Sequence, residues 1–293
     1  MPRNFIPLTI YREATLPSVM RQPAVAGRFY PSNPDALKAV IDSCFESPLG
    51  PGFPGEAGSS RGIRGIMAPH AGYLASGMNA AHAYRALKED GLPDVYIVIG
   101  PDHYGTAYGT VICSEPFLTP FGVCKTDEEI CEMLAERYED SADVHRYEHS
   151  VEVHVPFIQY IDPDPCIVPI IMGRQTPQEA RRLADVLLTA CEGRDVVVVA
   201  STDLSHYIPN TEASRLDGMA LDRVAAMDPE GLYDTVRSNR ITMCGYGPTM
   251  TAMMFCEGCS AKVLKHTDSY DSLGMDPHSV VGYGSAVFEK KAV

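Results

Sequence analysis

The chain reads as an α/β protein, with a mixed or mostly parallel central sheet flanked by helices. Three observations lead there. Residues 95–99 (VYIVI), 167–171 (IVPII) and 196–199 (VVVV) are apolar without polar alternation, as in strands buried on both faces. Helix-like segments alternate with such runs along the chain. Three runs also end just before a histidine: His70, His103 and His206. In an open α/β sheet, ligands bind outside the carboxyl ends of the strands, so these histidines stand where the fold places chemistry.

The elements follow in order. Residues 1–22 have no clear period and are expected to lie over the surface as an N-terminal extension. Residues 21–31 are compact and apolar and are expected to dock on the body. Ser32-Asn33-Pro34-Asp35 opens a helix to about Cys44, with Pro34 in its first turn. Residues 47–61, rich in Pro, Gly and Ser, form an exposed loop. A strand ends near Ala68, a helix spans 76–90, and the strand 95–99 follows. Residues 110–113 form a further strand. Thr126-Asp127-Glu128-Glu129 has the pattern of a capping box and opens a helix to about Tyr138. Pro169 places the strand 167–171 at a sheet edge or a bulge. Thr176-Pro177-Gln178-Glu179 starts a helix that ends before Gly193. The valine strand comes next, then helices over 212–227, 229–238 and 248–256, and strands over 262–266 and 280–288. No linker follows residue 61 and no repeat is present, so residues 1–293 are expected to form a single domain.

With 293 residues the chain can bury a substantial core. Its net charge of −14, with no basic stripe, argues against nucleic acid as a partner. No stretch approaches the roughly 20 apolar residues of a membrane span. The N-terminus lacks a secretory pattern, and the expected location is cytoplasmic. The nine cysteines are scattered, as befits reduced thiols rather than a disulfide framework. Cys256-Glu257-Gly258-Cys259 is a single CxxC, a weak signal for zinc or redox chemistry without a second pair. Dinucleotide, P-loop and nucleophile-elbow motifs are missing from the sequence.

If their strands are parallel neighbours, His70, His103 and His206 converge on one rim, where imidazoles can hold Zn, Fe or Cu. Each could instead be a hydrogen-bonded loop histidine. Asp203 could orient a histidine, ligate a metal, act as a base or cap a turn, and Asp102 beside His103 is equally ambiguous. Residues 148–154 (EHSVEVH) are the densest ionisable cluster. His149 and His154 diverge on a strand, and on a helix, where five residues turn roughly 500°. At most one is expected in the site. Glu148 with His154, or Glu152 with His149, could pair behind it, and a solvated charge cluster is an equal alternative. Cys244 precedes a helix in a glycine-rich turn and is either a ligand or nucleophile or a buried inert thiol.

Five motifs occur in one order: Pro69-His70-Ala71-Gly72-Tyr73, Gly100-Pro101-Asp102-His103, residues 148–154, Ser201-Thr202-Asp203-Leu204-Ser205-His206 and Cys244-Gly245. From about Pro23 to Val287 the chain resembles the Memo family (mediator of ErbB-driven cell motility; in prokaryotes, AmmeMemoRadiSam system protein B). The family's fold resembles that of class III extradiol dioxygenases. The resemblance implies a metal on His70, His103 and Cys244: Fe(II) first, with copper or zinc as alternatives. It puts Asp203 and His206 beside the metal as catalytic groups, His206 in the position of a general base. His149 and His154 would line or buttress the cleft. Dioxygenases of that class use a carboxylate where this chain has a cysteine, so ring cleavage does not follow from the fold. Two expectations stand: a redox metalloenzyme, or a module that binds a peptide or small anionic ligand without turnover. The prokaryotic family name implies radical-SAM and AMMECR-type partner proteins.

Overall fold

The computed structural model describes residues 20–291. Helix α1 (Pro34–Glu46) begins where the Asn33 side chain accepts from the Ala36 amide. Strand β1 (Ile63–Ala68), helix α2 (Tyr73–Asp90) and strand β2 (Val95–Pro101) follow. Next come β3 (Thr110–Ile112), the hairpin of β4 (Phe117–Thr119) and β5 (Gly122–Thr126), α3 (Glu128–Ala135), β6 (Glu139–Asp140), α4 (Ala142–His145) and α5 (His154–Ile161). Strand β7 (Cys166–Met172) leads to α6 (Pro177–Ala190), then β8 (Val196–Ser201), β9 (His206–Ile208), α7 (Asn210–Ala225), α8 (Pro229–Ser238) and α9 (Tyr246–Phe255). The described chain closes with β10 (Ser260–Asp268), α10 (Ser269–Leu273) and β11 (Val280–Glu289).

The expected α/β architecture is present, with a mixed sheet in the order β10-β11-β1-β8-β2-β7-β3-β6. Its centre, β1-β8-β2-β7, is parallel throughout. Antiparallel β11 and β10 extend one side, and antiparallel β3 starts the other. Successive residues of the central strands feed opposite cores. Val196, Val198 and Ala200 enter one apolar cluster, while Val197 and Val199 enter the other. That two-sided burial is why these strands carry no polar alternation.

The structure corrects the placement of Pro169. Its strand β7 is interior, paired with β2 on one side and with β5 and β3 on the other. On that second side β5 pairs with Cys166 and Ile167, and β3 with residues 170–172. Pro169 falls at the seam between them, where its missing N–H breaks no ladder bond, and its carbonyl accepts from the Cys113 amide at 3.1 Å. The expected surface extension falls mostly outside the described residues. Arg21, at its end, is buried and ion-paired with Glu152.

Candidate metal centre

Strands β1, β8 and β2 are parallel neighbours, so their carboxyl ends form one rim. His70 lies two residues past the end of β1, Asp203 two past β8, and His103 two past β2. Cys244 reaches the same rim from the turn before α9. The ligand atoms of His70, His103 and Cys244 all lie within 4.8 Å of one another. His70 Nε2 is 3.2 Å from Cys244 Sγ.

Hydrogen bonds set the tautomers of both imidazoles. The Ser201 hydroxyl gives its proton to the Ser150 carbonyl at 2.6 Å, so towards His70 Nδ1, 2.7 Å away, it can only accept. His70 therefore carries its proton on Nδ1 and turns the Nε2 lone pair towards Cys244. His103 Nδ1 donates to Glu148 Oε1 at 2.9 Å, which frees its Nε2 in the same way. A carboxylate behind a ligating histidine is a recurrent support of metal sites.

Glu148 was visible in the sequence only as part of a charged cluster, where His154 was one candidate partner. Glu148 pairs with His103 instead, and Glu152 pairs with Arg21 rather than with His149. Nor is the cluster solvated: Glu148, Glu152 and His154 are all buried. Residues 149–153 form an irregular turn, so the divergence expected for a strand or helix does not decide where the histidines go. His149 enters the site. Its ring stacks on His103 with centroids 4.5 Å apart and lies 5.5 Å from the ring of His70. Phe29 meets its other side edge-on at 4.8 Å. His154 starts α5 and buttresses from within. Its Nδ1 is 2.8 Å from the Tyr84 hydroxyl, and its buried Nε2 has no hydrogen-bond partner among the described residues.

Burial pushes His70 well below the usual histidine range, and the neighbouring imidazoles add to this. Burial likewise brings His149 to about 4. His103 moves the other way: burial opposes its charge, but the hydrogen bond and charge of Glu148 raise it. Burial would raise Glu148, yet the hydrogen bond and charge of His103 take it down to about 2.

Asp203 is buried, and burial raises its carboxyl. Its Oδ1 accepts from the backbone N–H of His70 at 2.9 Å, while Oδ2 is 3.9 Å from His70 Nε2. It thus holds His70 through the main chain. The backbone of Asp203 also straps Cys244: its N–H donates to Sγ at 3.2 Å and its carbonyl accepts from the Cys244 N–H at 3.2 Å. His206 stands half-buried, outside the cluster of three ligand atoms. Its Nδ1 donates to the Thr242 carbonyl at 2.9 Å, and Nε2 has no hydrogen-bond partner among the described residues. Asp102 caps its own loop, accepting from the amides of Tyr104, Gly105 and Ala107.

A mixed sheet that brings two imidazoles and a thiol together at one rim defines an α/β protein with a possible metal centre. The chain belongs to the Memo-like protein family, whose model matches residues 21–287. It is similar to MEMO1 family proteins of Methanothermobacter thermautotrophicus (40% identical, covering 90% of this chain and 99% of the relative) and Ignicoccus hospitalis (41%, covering 92% and 99%). In fold it is similar to the crystal structure of an uncharacterized protein from Escherichia coli K12. That likeness has a TM-score of 0.50 at 13% identity and covers 76% of this chain and 99% of the other. No helix among the described residues is long and apolar enough to cross a membrane.

Proposed function

We propose that this Memo family member is a metal-dependent redox enzyme whose metal is held by His70, His103 and Cys244. The observation that carries the reading is the pair of Nε2 lone pairs, each fixed by an Nδ1 hydrogen bond and gathered with Cys244 Sγ within 4.8 Å. Two imidazoles and a thiol suit iron, copper or zinc, and the softer sulfur shifts preference towards copper and zinc relative to a carboxylate. Fe(II) is the metal that the family's resemblance to class III extradiol dioxygenases favours. When bound, a redox metal supplies the one-electron chemistry that side chains lack. The chain's own groups do the rest. Glu148 and Ser201 orient the two histidines. Asp203 fixes the backbone of His70. His206, with Nδ1 tied to Thr242, offers Nε2 to a substrate proton. His149, with Phe29 packed against it, stands beside the two ligating imidazoles. Binding of an anion without turnover has less support, because burial keeps His70 and His149 neutral near pH 7.

The test is metal analysis of protein purified without oxygen, wild type beside Cys244→Ser. Near-stoichiometric iron in the wild type, lost in the variant, is the expected result. Copper or zinc in its place would overturn the iron assignment. Absence of metal from both proteins would overturn the reading.

A further inference from the structure

At the far end of α9 from Cys244, about 15 Å away by helical rise, stands a second thiol group that the proposed centre does not use. Cys256 caps the helix and Cys259 opens β10's approach. We propose that Cys256 and Cys259 are a redox-active dithiol that closes to an intramolecular disulfide by exchange with a low-molecular-weight disulfide.

The backbone already has the required shape. The Cys259 amide donates to the Cys256 carbonyl at 2.9 Å, closing a turn with Gly258 at φ +87°, the third position of a type II turn. Such a turn holds its end Cα atoms under about 7 Å apart, the range a disulfide spans. The two thiols differ as an attacking and a resolving thiol must. Cys256 is 2% exposed and packs against β1, where a Cβ on Gly65 would lie 3.0 Å from its Sγ. Cys259 is partly exposed. The surroundings are cationic: Arg64, Lys290 and Lys291 lie near Cys259. The Arg64 guanidinium lies over the Phe255 ring at 5.5 Å, and its buried Nε has no hydrogen-bond partner among the described residues. The neighbouring Cys256 thiol, followed by these cations, lowers the Cys259 thiol to about 7.

The exchange balances as follows. The Cys259 thiolate attacks one sulfur of RSSR, forming the mixed disulfide and releasing one RS⁻. Cys256, on losing its proton, attacks the Cys259 sulfur and releases the second RS⁻. Overall, two protein thiols and RSSR give one protein disulfide and two RSH, so the protein is oxidised and RSSR reduced.

The experiment treats native full-length protein with oxidised glutathione at pH 7, quenches with alkylating agent and maps peptides by mass. Wild type is expected to lose two hydrogens on the peptide bearing residues 256–259. Cys256→Ser is expected to accumulate a glutathione adduct on Cys259. Alkylation of Cys259 is expected to run about sixfold faster than in the urea-unfolded chain, since the gain in thiolate outweighs the loss in nucleophilicity. A wild-type Cys259 that stays reduced, or that keeps its glutathione adduct without closing on Cys256, would overturn the proposal even if the variant fails to fold.

Discussion

Glu148 accepts four N–H groups: the His103 amide and Nδ1, and the amides of His149 and Ser150. It joins β2's end to the turn that carries His149. Glu148→Gln keeps the shape and an acceptor oxygen but removes the charge that fixes His103. Metal affinity is expected to fall by about 10–100-fold, the usual effect of losing a carboxylate behind a ligating histidine. Competition with a chelator of known affinity measures it. Unchanged affinity would mean that His103 is not held as a ligand by this contact. The Gln oxygen can keep the His149 and Ser150 amides, while the NH2 group in place of Oε2 leaves the His103 amide without its acceptor, so urea unfolding is measured beside the affinity.

At the scale of elements, the site depends on how closely α9 seats on the end of β8. A Cβ on Gly245 would stand 2.1 Å from the Ser201 carbonyl and 2.6 Å from the Thr202 Cβ, both nearly immovable. Gly245→Ala must push the start of α9 away, and Cys244 with it. The expected cost is about 1–3 kcal/mol of stability, together with a loss of metal affinity of at least about tenfold, or 1.4 kcal/mol. Urea unfolding and metal titration read the two effects, and wild-type values in both would show that the seat has room. The sequence made some of this legible and hid the rest. The continuous apolar strand ending before His103, and the shorter apolar run 66–68 before His70, announced the rim, because two-sided burial and strand ends leave a local signature. The seam at Pro169 was hidden, since a proline marks a missing donor without saying which neighbour lacks its acceptor. The pairing of Glu148 with His103 was hidden too, since the periodicity that places side chains on faces holds only inside regular elements. The short β4, β5, β6 and α4 carried too few residues for any period to show.

The whole molecule holds several histidines that fold in neutral. Burial brings His145 and His149 to about 4 and His154 to about 3, and lowers His70 in the same sense. The unfolded chain binds protons at these groups near pH 6.5, and the folded chain does so only below about 4. Between those values the unfolded state binds more protons, so stability falls as pH falls. Each of His145, His149 and His154 contributes on the order of 2 kcal/mol of this loss by pH 4.5, against a typical total stability of about 5–15 kcal/mol. Glu148, held near 2, adds a loss of the same sign as pH drops from about 4.5 towards 2. His103 opposes them, since its raised affinity for a proton stabilises the fold below its ordinary value and that contribution fades as pH rises. Asp203, whose carboxyl burial raises, opposes them as well, and two opposing groups do not offset four. Chelator-treated protein is therefore expected to show a urea midpoint that drops steadily from pH 7 to pH 4.5, with proton uptake on unfolding at pH 5.5. A midpoint constant over that range would mean that these imidazoles are already charged, or paired, in the native state.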